Sequence, residues 1–296
     1  MFKSGFIGII GRPNAGKSTL FNAIICDKIS IITDKPQTTR NKITGIRNFP
    51  NAQLIFLDTP GMHKPKTAMN RAMVQTTRET IKSVDVLLML IEANTDVHPH
   101  DLFLIESLAQ VKTPVFLVIN KIDIIEKNIL LPLIDKFRNL YNYREIFPIS
   151  ALKGEGIDDL LNALIATLPE GPKYYPDDII TDTTERFIAA EFIREKITLF
   201  TKQEVPYSTA VEVDLFKEDD EKNLILINAT INVEKESQKA IMIGKKGTML
   251  KKIGAQARME MEKLFGAKVY LELFVRVKKE WTSSDKMLRE FGLLKT

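Results

Sequence analysis

The sequence predicts two folded domains in series. The first is an α/β domain whose parallel-dominated sheet carries helices on both faces. The second is a smaller α+β domain in the order α-β-β-α-α-β. Three observations lead there. Short apolar runs alternate with amphipathic stretches through the first half. A proline- and glycine-rich break, Pro169-Glu-Gly-Pro172 and then Tyr174-Tyr-Pro-Asp-Asp178, interrupts that rhythm. Beyond the break the strands become alternating and β-branched, and they come as a pair before they meet a helix pair.

Taken in order, residues 6–10, 54–57, 86–91, 115–119 and 146–149 are continuous apolar runs, the pattern of strands buried on both faces. Between them, residues 17–25, 70–83, 99–109, 130–140 and 157–166 have helical periodicity. After the break, residues 184–200 read as a helix. Strands at 209–216 and 224–233 are joined by a polar turn at 217–223. Helices at 237–243 and 248–264 are separated by Gly244-Lys-Lys-Gly247, and a strand at 269–277 follows. The boundaries expected are a first domain over 1–170, a linker over 171–182, a second domain over 183–280, and a basic tail over 281–296 that opens with the single tryptophan, Trp281.

Composition excludes several classes. Hydrophobic residues make up 44% of the 296 and charged residues 27%, a globular balance. No apolar run reaches the ~18–20 residues that cross a bilayer. The start, Met-Phe-Lys-Ser-Gly, carries no signal-peptide pattern. Cys26 stands alone, so neither a disulfide nor a cysteine metal cluster is expected. His63, His98 and His100 leave little for zinc. A soluble, cytoplasmic monomer is the expectation. The net charge of +4 is unevenly spread. Residues 177–221 carry 13 acidic and 5 basic side chains, whereas 239–279 carry 11 basic and 3 acidic. The second stretch suits a polyanion or, equally, a lysine-rich solvated face.

Gly11-Arg-Pro-Asn14-Ala15-Gly16-Lys17-Ser18-Thr19 contains G-x-x-x-x-G-K-[ST] between a strand and a helix, the context in which this loop cradles phosphates. Its glycines let backbone N–H groups turn inward, and the helix start adds a positive dipole end. Lys17 supplies a point charge to the outer phosphates, and the Ser18 hydroxyl suits Mg²⁺. Asn120-Lys121-Ile-Asp123 follows the strand at 115–119, at the carboxyl edge where ligands of parallel sheets bind. A carboxylate only accepts, and guanine offers a ring N–H beside an amine, so Asp123 selects guanine over adenine. Asn120 and Lys121 brace the loop and cover the base. Ser150-Ala151-Leu152 is placed to offer a backbone N–H to the guanine oxygen.

Asp58-Thr-Pro-Gly61 ends the strand at 54–57. Asp58 is placed to hold Mg²⁺ through water, and the Gly61 amide to approach a γ-phosphate and let go on hydrolysis. Gln37-Thr38-Thr39-Arg40 lies where a metal-sensing threonine belongs; Thr39 is favoured and Thr38 stays open. Lys17, Thr39, Asp58 and Gly61 are thus the expected catalytic set, with Ser18, Thr39 and Asp58 around the metal. Met62 occupies the position where many GTPases carry a water-orienting glutamine, and the adjacent His63 reads as a structural histidine. Asn14 offers a side-chain oxygen for a K⁺ ion beside the leaving phosphate, a route to potassium-stimulated hydrolysis.

The Gly244-Lys245-Lys246-Gly247 loop, with Ile241 and Ile243 before it and Lys251, Lys252 and Arg258 after it, allows a nucleic-acid backbone close approach beside cations. Ile241, Ile243 and Ile253 suit a nucleotide groove or a helix core equally. In an α-β-β-α-α-β unit this resembles a type-II KH domain, which holds about four single-stranded nucleotides.

A translation-factor-type P-loop GTPase domain followed by a type-II KH domain is similar to the bacterial Era family, over nearly the whole chain. The marker stretches are 11–19, 37–40, 58–61, 120–123, 150–152 and 240–281. The resemblance implies GTP and GDP with Mg²⁺ as ligands, and assembly of the small ribosomal subunit. It implies that the KH domain holds the single-stranded 3′ end of 16S rRNA on a 30S precursor. Peripheral association with the inner face of the cell membrane and a link to cell-cycle control are also implied. The competing readings are a membrane-associated signalling GTPase with a basic interaction domain, and an ATPase or nucleotide kinase with an incidental Asn-Lys-x-Asp.

Overall fold

The structure is a computed structural model that describes residues 1–62, 65, 67–94 and 96–294. His63 lies outside them. Two compact units emerge. One comprises Met1–Ser30, Thr39–Pro65 and Met73–Asp182; the other comprises Ile31–Thr38, Lys66–Ala72 and Thr183–Thr296.

The first unit is built on β1 (Lys3–Gly11), β2 (Ile43–Phe49), β3 (Ala52–Asp58), β4 (Val86–Glu92), β5 (Val115–Asn120) and β6 (Glu145–Pro148), in the sheet order β2-β3-β1-β4-β5-β6. β1 pairs in parallel with both β3 and β4, β4 with β5, and β5 with β6. The helices are α1 (Lys17–Ile25), α2 (Ala68–Ser83, of which Met73 onward belongs to this unit), α3 (Pro99–Ser107), α4 (Lys127–Arg138) and α5 (Ile157–Thr167). The continuous apolar runs of β3, β4 and β5 are buried throughout, apart from the partly exposed Glu92. Since β1 has β3 on one side and β4 on the other, the chain order reverses beside it. Its carboxyl end, Gly11, therefore opens at a topological switch point, where a ligand crevice forms.

No strand is expected over 43–49 from the apolar pattern, yet β2 is there, antiparallel to β3 across a two-residue turn at Pro50 and Asn51. Gly45 and Asn48 weaken its strand signal. Gly45 is required by packing, because a Cβ there would lie 2.6 Å from the Phe21 ring on α1. The stretch expected as a linker, 171–182, is docked on this unit. Ile46 N–H donates to Ile180 O at 2.8 Å, the Thr181 hydroxyl to Thr44 O at 2.6 Å, and Gln53 Nε2 to Tyr175 O at 2.8 Å. It carries proline and glycine because it runs extended along a sheet edge, whose backbone groups it satisfies.

The second unit contains α6 (Glu185–Phe200), β7 (Ala210–Asp219), β8 (Leu224–Val233), α7 (Glu236–Ile243), α8 (Thr248–Phe265), β9 (Lys268–Val277) and α9 (Asp285–Glu290). β8 pairs antiparallel with β7 and in parallel with β9. The Thr184 hydroxyl caps α6 by accepting from Phe187 N–H at 3.3 Å, and Gly266 ends α8 in the left-handed region. Ile253, open between groove and core in the sequence, is fully buried.

Trp281, expected in a tail, is fully buried. Its indole Nε1 donates to Ser208 O at 3.0 Å and its ring meets Phe291 edge-on at 5.0 Å. The segment after β9 therefore closes the second core. Trp281→Ala is expected to cost about 3–5 kcal/mol, the range for emptying a large aromatic site. Urea unfolding of the two proteins measures the difference.

Candidate functional site

The crevice at the end of β1 is assembled by backbone conformation. Asn14 (φ 64) and Gly16 (φ 94) take left-handed geometry, which turns the loop back on itself before α1 begins at Lys17. Gly16 has a second constraint: a Cβ there would lie 2.2 Å from Asn120 Nδ2. That approach has a purpose. Asn120, buried at the end of β5, donates to Ala15 O at 2.9 Å and accepts from Ala151 N–H at 2.9 Å. One side chain thus pins the phosphate loop to the 150–152 loop. Glu92, at the end of β4, adds a second clamp. It accepts from Arg12 Nη2 at 2.8 Å and from Lys121 Nζ at 2.9 Å. The sequence offered no signal for Glu92, because its partners lie far away along the chain.

Beneath the loop sits a buried polar cluster. Lys17 Nζ donates to Gly11 O at 3.2 Å and to Arg12 O at 3.0 Å. Burial brings this ammonium down from its ordinary 10.5 to about 8, with Asp58 opposing the shift and Arg12 adding to it. Burial likewise raises the Asp58 carboxyl, against Lys17 and the hydroxyls around it. Ser18 Oγ and Ser30 Oγ each donate to Asp58 Oδ2 at 2.8 Å, and Ser18 Oγ lies 2.9 Å from Thr39 Oγ1. Asp58 Oδ1 is buried with no hydrogen-bond partner. An all-oxygen group with an orphaned, desolvated carboxylate oxygen fits a small hard cation such as Mg²⁺. Of the two threonines, Thr39 joins this cluster, while the Thr38 hydroxyl bonds to Thr33 Oγ1 and Lys35 O. Ser30 is a member that sequence reasoning missed; an isolated serine in a loop carries no local signal.

Asp58 ends β3, and at Gly61 beyond it a Cβ would lie 2.9 Å from Pro13 N. Met62 N–H donates to Gly11 O at 3.1 Å and its side chain is fully buried in the apolar core. A side chain there points into the protein and does not orient water. Thr19 sits on α1.

At the other end of the crevice, Lys121 is left-handed (φ 68) and the Ser150 hydroxyl holds the Asp123 carboxyl below the usual carboxylate range. Ser150 N–H is engaged by Glu155 O and Ala151 N–H by Asn120, while Leu152 is 80% exposed at the rim.

In the second unit, Gly244 (φ 72), Lys246 (φ 53) and Gly247 (φ 77) make a tight loop between α7 and α8. Gly244 admits no Cβ, which would lie 2.9 Å from Met249 N. Lys245 and Lys246 are exposed. A groove of about 540 Å³ runs from Gly247 between α8 and β9, past Leu250, Lys251 and Gly254, to Arg258 and Tyr270. Of the residues expected to bind RNA, it takes in Gly247 and Lys251. Ile241, on α7, is 45% exposed, and Ile243 is partly buried on the same helix. Lys252 is turned elsewhere: its Nζ lies 4.1 Å from the Phe200 ring centroid. Arg258, one of the cations the sequence places after the loop, lines the groove, and so does Tyr270 on β9, which the sequence reading did not single out.

The six-stranded unit, with its phosphate loop at the switch point, has the architecture of P-loop GTPases. The three-stranded unit, with its parallel last pair and GxxG loop, has that of type-II KH domains. A family model described as 50S ribosome-binding GTPase matches residues 6–121, and a KH-domain model matches residues 204–282. By full-length similarity the chain belongs to the Era family of GTPases. It is 63% identical to GTPase Era of Syntrophus aciditrophicus (strain SB) over 292 residues, 99% of this chain and 95% of the relative. A crystal structure of a point variant of Aquifex aeolicus Era bound to GDP·AlF₄⁻ superposes with a TM-score of 0.96 at 42% identity, covering 99% of this chain and 100% of that one. An Era structure in complex with MgGDPNP and nucleotides 1506–1542 of 16S ribosomal RNA gives the same TM-score of 0.96 at 42% identity, covering 100% of both chains. No helix among the described residues is long and apolar enough to cross a membrane.

The lowered Lys17 pKa has a measurable consequence. Phosphates placed beside Lys17 would favour its charged form and so raise its pKa. Above pH 8 the free protein holds this site partly neutral, so nucleotide binding must take up a proton there. GDP affinity is expected to fall with pH above about 8, approaching tenfold per unit. Titration calorimetry at pH 8.5 in buffers of different ionisation enthalpy is expected to show proton uptake that is absent at pH 6.5.

Proposed function

We propose that this GTPase acts in assembly of the small ribosomal subunit, holding the 3′ end of 16S rRNA in the groove of its KH domain on a 30S precursor. The observation that carries the reading is the Era structure that matches over the whole of both chains and is described with MgGDPNP and nucleotides 1506–1542 of 16S rRNA. The proposal includes a cytoplasmic location, with peripheral contact at the inner face of the membrane through the basic segment 239–279, and a monomeric chain.

In this reading the backbone of Gly11, Asn14, Ala15 and Gly16 wraps the phosphates and Thr19 adds its hydroxyl beside them. Lys17 meets the β- and γ-phosphates. Ser18 and Thr39 hold Mg²⁺ directly and Asp58 holds it through water; the ion supplies charge neutralisation on the phosphate oxygens. Ser30 and Ser18 fix the Asp58 carboxylate through one oxygen, which leaves Oδ1 for that water. Gly61 offers its amide to the γ-phosphate. Asp123 reads guanine, Asn120 and Lys121 steady its loop, and Ser150, Ala151 and Leu152 border the base. With Met62 buried, water activation does not come from that side chain. A K⁺ ion beside Asn14, at the exposed turn of the loop, belongs to the same proposal. In the KH unit Gly244, Lys245, Lys246 and Gly247 meet the RNA backbone, Lys251 lines the groove, and Ile241 and Ile243 on α7 add apolar contact to the RNA.

Two measurements test the halves separately. Asp123→Asn replaces an acceptor-only group by an amide that can donate to a ring carbonyl. It is expected to move preference from guanosine to xanthosine diphosphate; unchanged guanine preference, or ATP displacing GDP as well as GTP does, would remove the assignment. For RNA, Gly244→Asp confounds charge with backbone strain, because Gly244 admits no Cβ. The double variant Lys245→Glu, Lys246→Glu changes charge alone. It is expected to lose at least tenfold in affinity for the single-stranded 3′ sequence of 16S rRNA, with GDP affinity intact. Retained binding, or equal binding of scrambled RNA by the unaltered protein, would favour the signalling-GTPase alternative.

A further inference from the structure

Arg12 fills a position that the phosphate-loop motif leaves open, and its side chain reaches two carboxylates. Nη2 donates to Glu92 Oε2 at 2.8 Å, and Nε lies 3.7 Å from Asp101 Oδ2. Glu92 ends β4, and its other oxygen accepts from Lys121 Nζ at 2.9 Å. Asp101, in the first turn of α3, is 2% exposed. Its Oδ1 and Arg12 Nε are both buried without a hydrogen-bond partner among the described residues. The backbone of Arg12 continues the chain of contacts. Its carbonyl accepts from Lys17 Nζ at 3.0 Å and from Ala15 N–H at 3.4 Å. Every one of these residues belongs to the first unit.

We infer that Arg12 is a positioning residue for nucleotide binding: Glu92 and Asp101 hold its guanidinium, its own carbonyl sets where Lys17 waits, and Glu92 carries the same hold across to Lys121. The inference rests on the reading of Lys17 as a phosphate contact and of the Asp123 loop as a base contact. Fold stability does not account for the cluster. A carboxylate buried like Asp101 loses more hydration than an incompletely bonded partner returns, and apolar residues of similar volume stabilise as well or better. A planar guanidinium between two acids has a fixed direction, which is what a loop positioner requires. Burial raises the Asp101 carboxyl to about 6, with Arg12 and His100 opposing the shift and Glu92 adding to it; Tyr143 faces it from the stretch before β6. At neutral pH the group is mostly a carboxylate, and acid removes its charge. The two acids differ in reach. Asp101 acts on the phosphate loop alone, through Arg12, whereas Glu92 holds the phosphate loop and the base-reading loop together.

That difference makes the test selective. In the full-length protein, Glu92→Gln is expected to weaken GDP and a fluorescent non-hydrolysable GTP analogue about tenfold each, the scale of one charge-assisted hydrogen bond, and Asp101→Asn about fivefold. For both variants KM for GTP should rise while kcat stays within about twofold, the signature of binding lost equally from ground and transition states. Inosine diphosphate, which lacks the exocyclic amine, separates the two acids. Preference for GDP over inosine diphosphate should shrink about threefold in Glu92→Gln and hold in Asp101→Asn. Glu92→Asp should recover part of both losses. The affinity gap between Asp101→Asn and the unaltered protein should narrow towards parity from pH 7.5 to pH 5, since the nucleotide's own ionisation cancels in that ratio. Unaltered affinity in both variants, a fall in kcat at constant KM, or equal loss of base preference in both would overturn the inference. Should Asp101→Asn lose cooperative thermal unfolding, the two substitutions at the partly exposed Glu92 carry the test, and failure of Glu92→Gln to shift base preference is decisive against it. Lys17→Ala runs alongside. Unchanged GDP affinity in that variant removes the phosphate-contact reading; a loss there with none in the Glu92 and Asp101 variants removes the clamp alone.

Discussion

Burial of Lys17 and Asp58 beneath a single phosphate loop is the constraint around which the first unit is organised. Each is disfavoured in its charged form by the loss of water, and each is partly rescued by the other. Neither is fully satisfied. Lys17 leans on two loop carbonyls, and Asp58 keeps one oxygen without a partner. In the proposed reading a polyphosphate with its divalent ion supplies what both lack, negative charge for the ammonium and positive charge for the carboxylate, so that unmet electrostatic demand becomes ligand affinity. Ser18, Ser30 and Thr39 gather around Asp58 because hydroxyls can donate to a carboxylate and still turn a lone pair to a cation.

Rigid parts surround that demand and hold it in register. Asn120 ties the phosphate loop to the base-reading loop through two buried hydrogen bonds, and Glu92 ties Arg12 to Lys121. Phosphate and base ends of the crevice cannot drift apart without breaking both. The residues proposed to meet the nucleotide's third phosphate are different in kind. Thr39 and Gly61 belong to connecting segments outside helix and strand, the class of element from which moving parts are drawn. The KH unit achieves its loop by conformation instead of charge: left-handed residues turn the backbone outward, and the lysines follow into solvent.

Much of this was legible along the chain. The strands at 86–91 and 115–119, the helix at 17–25 and the GxxG junction are local, written in apolar runs and in glycines that only a tight turn requires. The phosphate loop and Asn-Lys-x-Asp are likewise short-range, because the chemistry proposed for them needs only neighbouring backbone N–H groups and one carboxylate. The hairpin strand β2 carries no clear local signal, since its glycine answers to Phe21 on α1. Residues 171–182 looked like a linker because their partners, the edge backbone of β2 and the Gln53 side chain on β3, are more than a hundred residues away. The tail hid a core tryptophan for the same reason.

Taken alone, then, the sequence determined which chemistry the molecule owns: a triphosphate cradle, a guanine reader and a single-strand loop, each built from neighbours in the chain. Tertiary structure decided which side chains complete them. It set Thr39, and not Thr38, beside Ser18, added Ser30 to Asp58, and turned Lys252 onto Phe200. Those choices depend on distances between residues far apart in the chain, and such distances exist only once burial has packed the elements together.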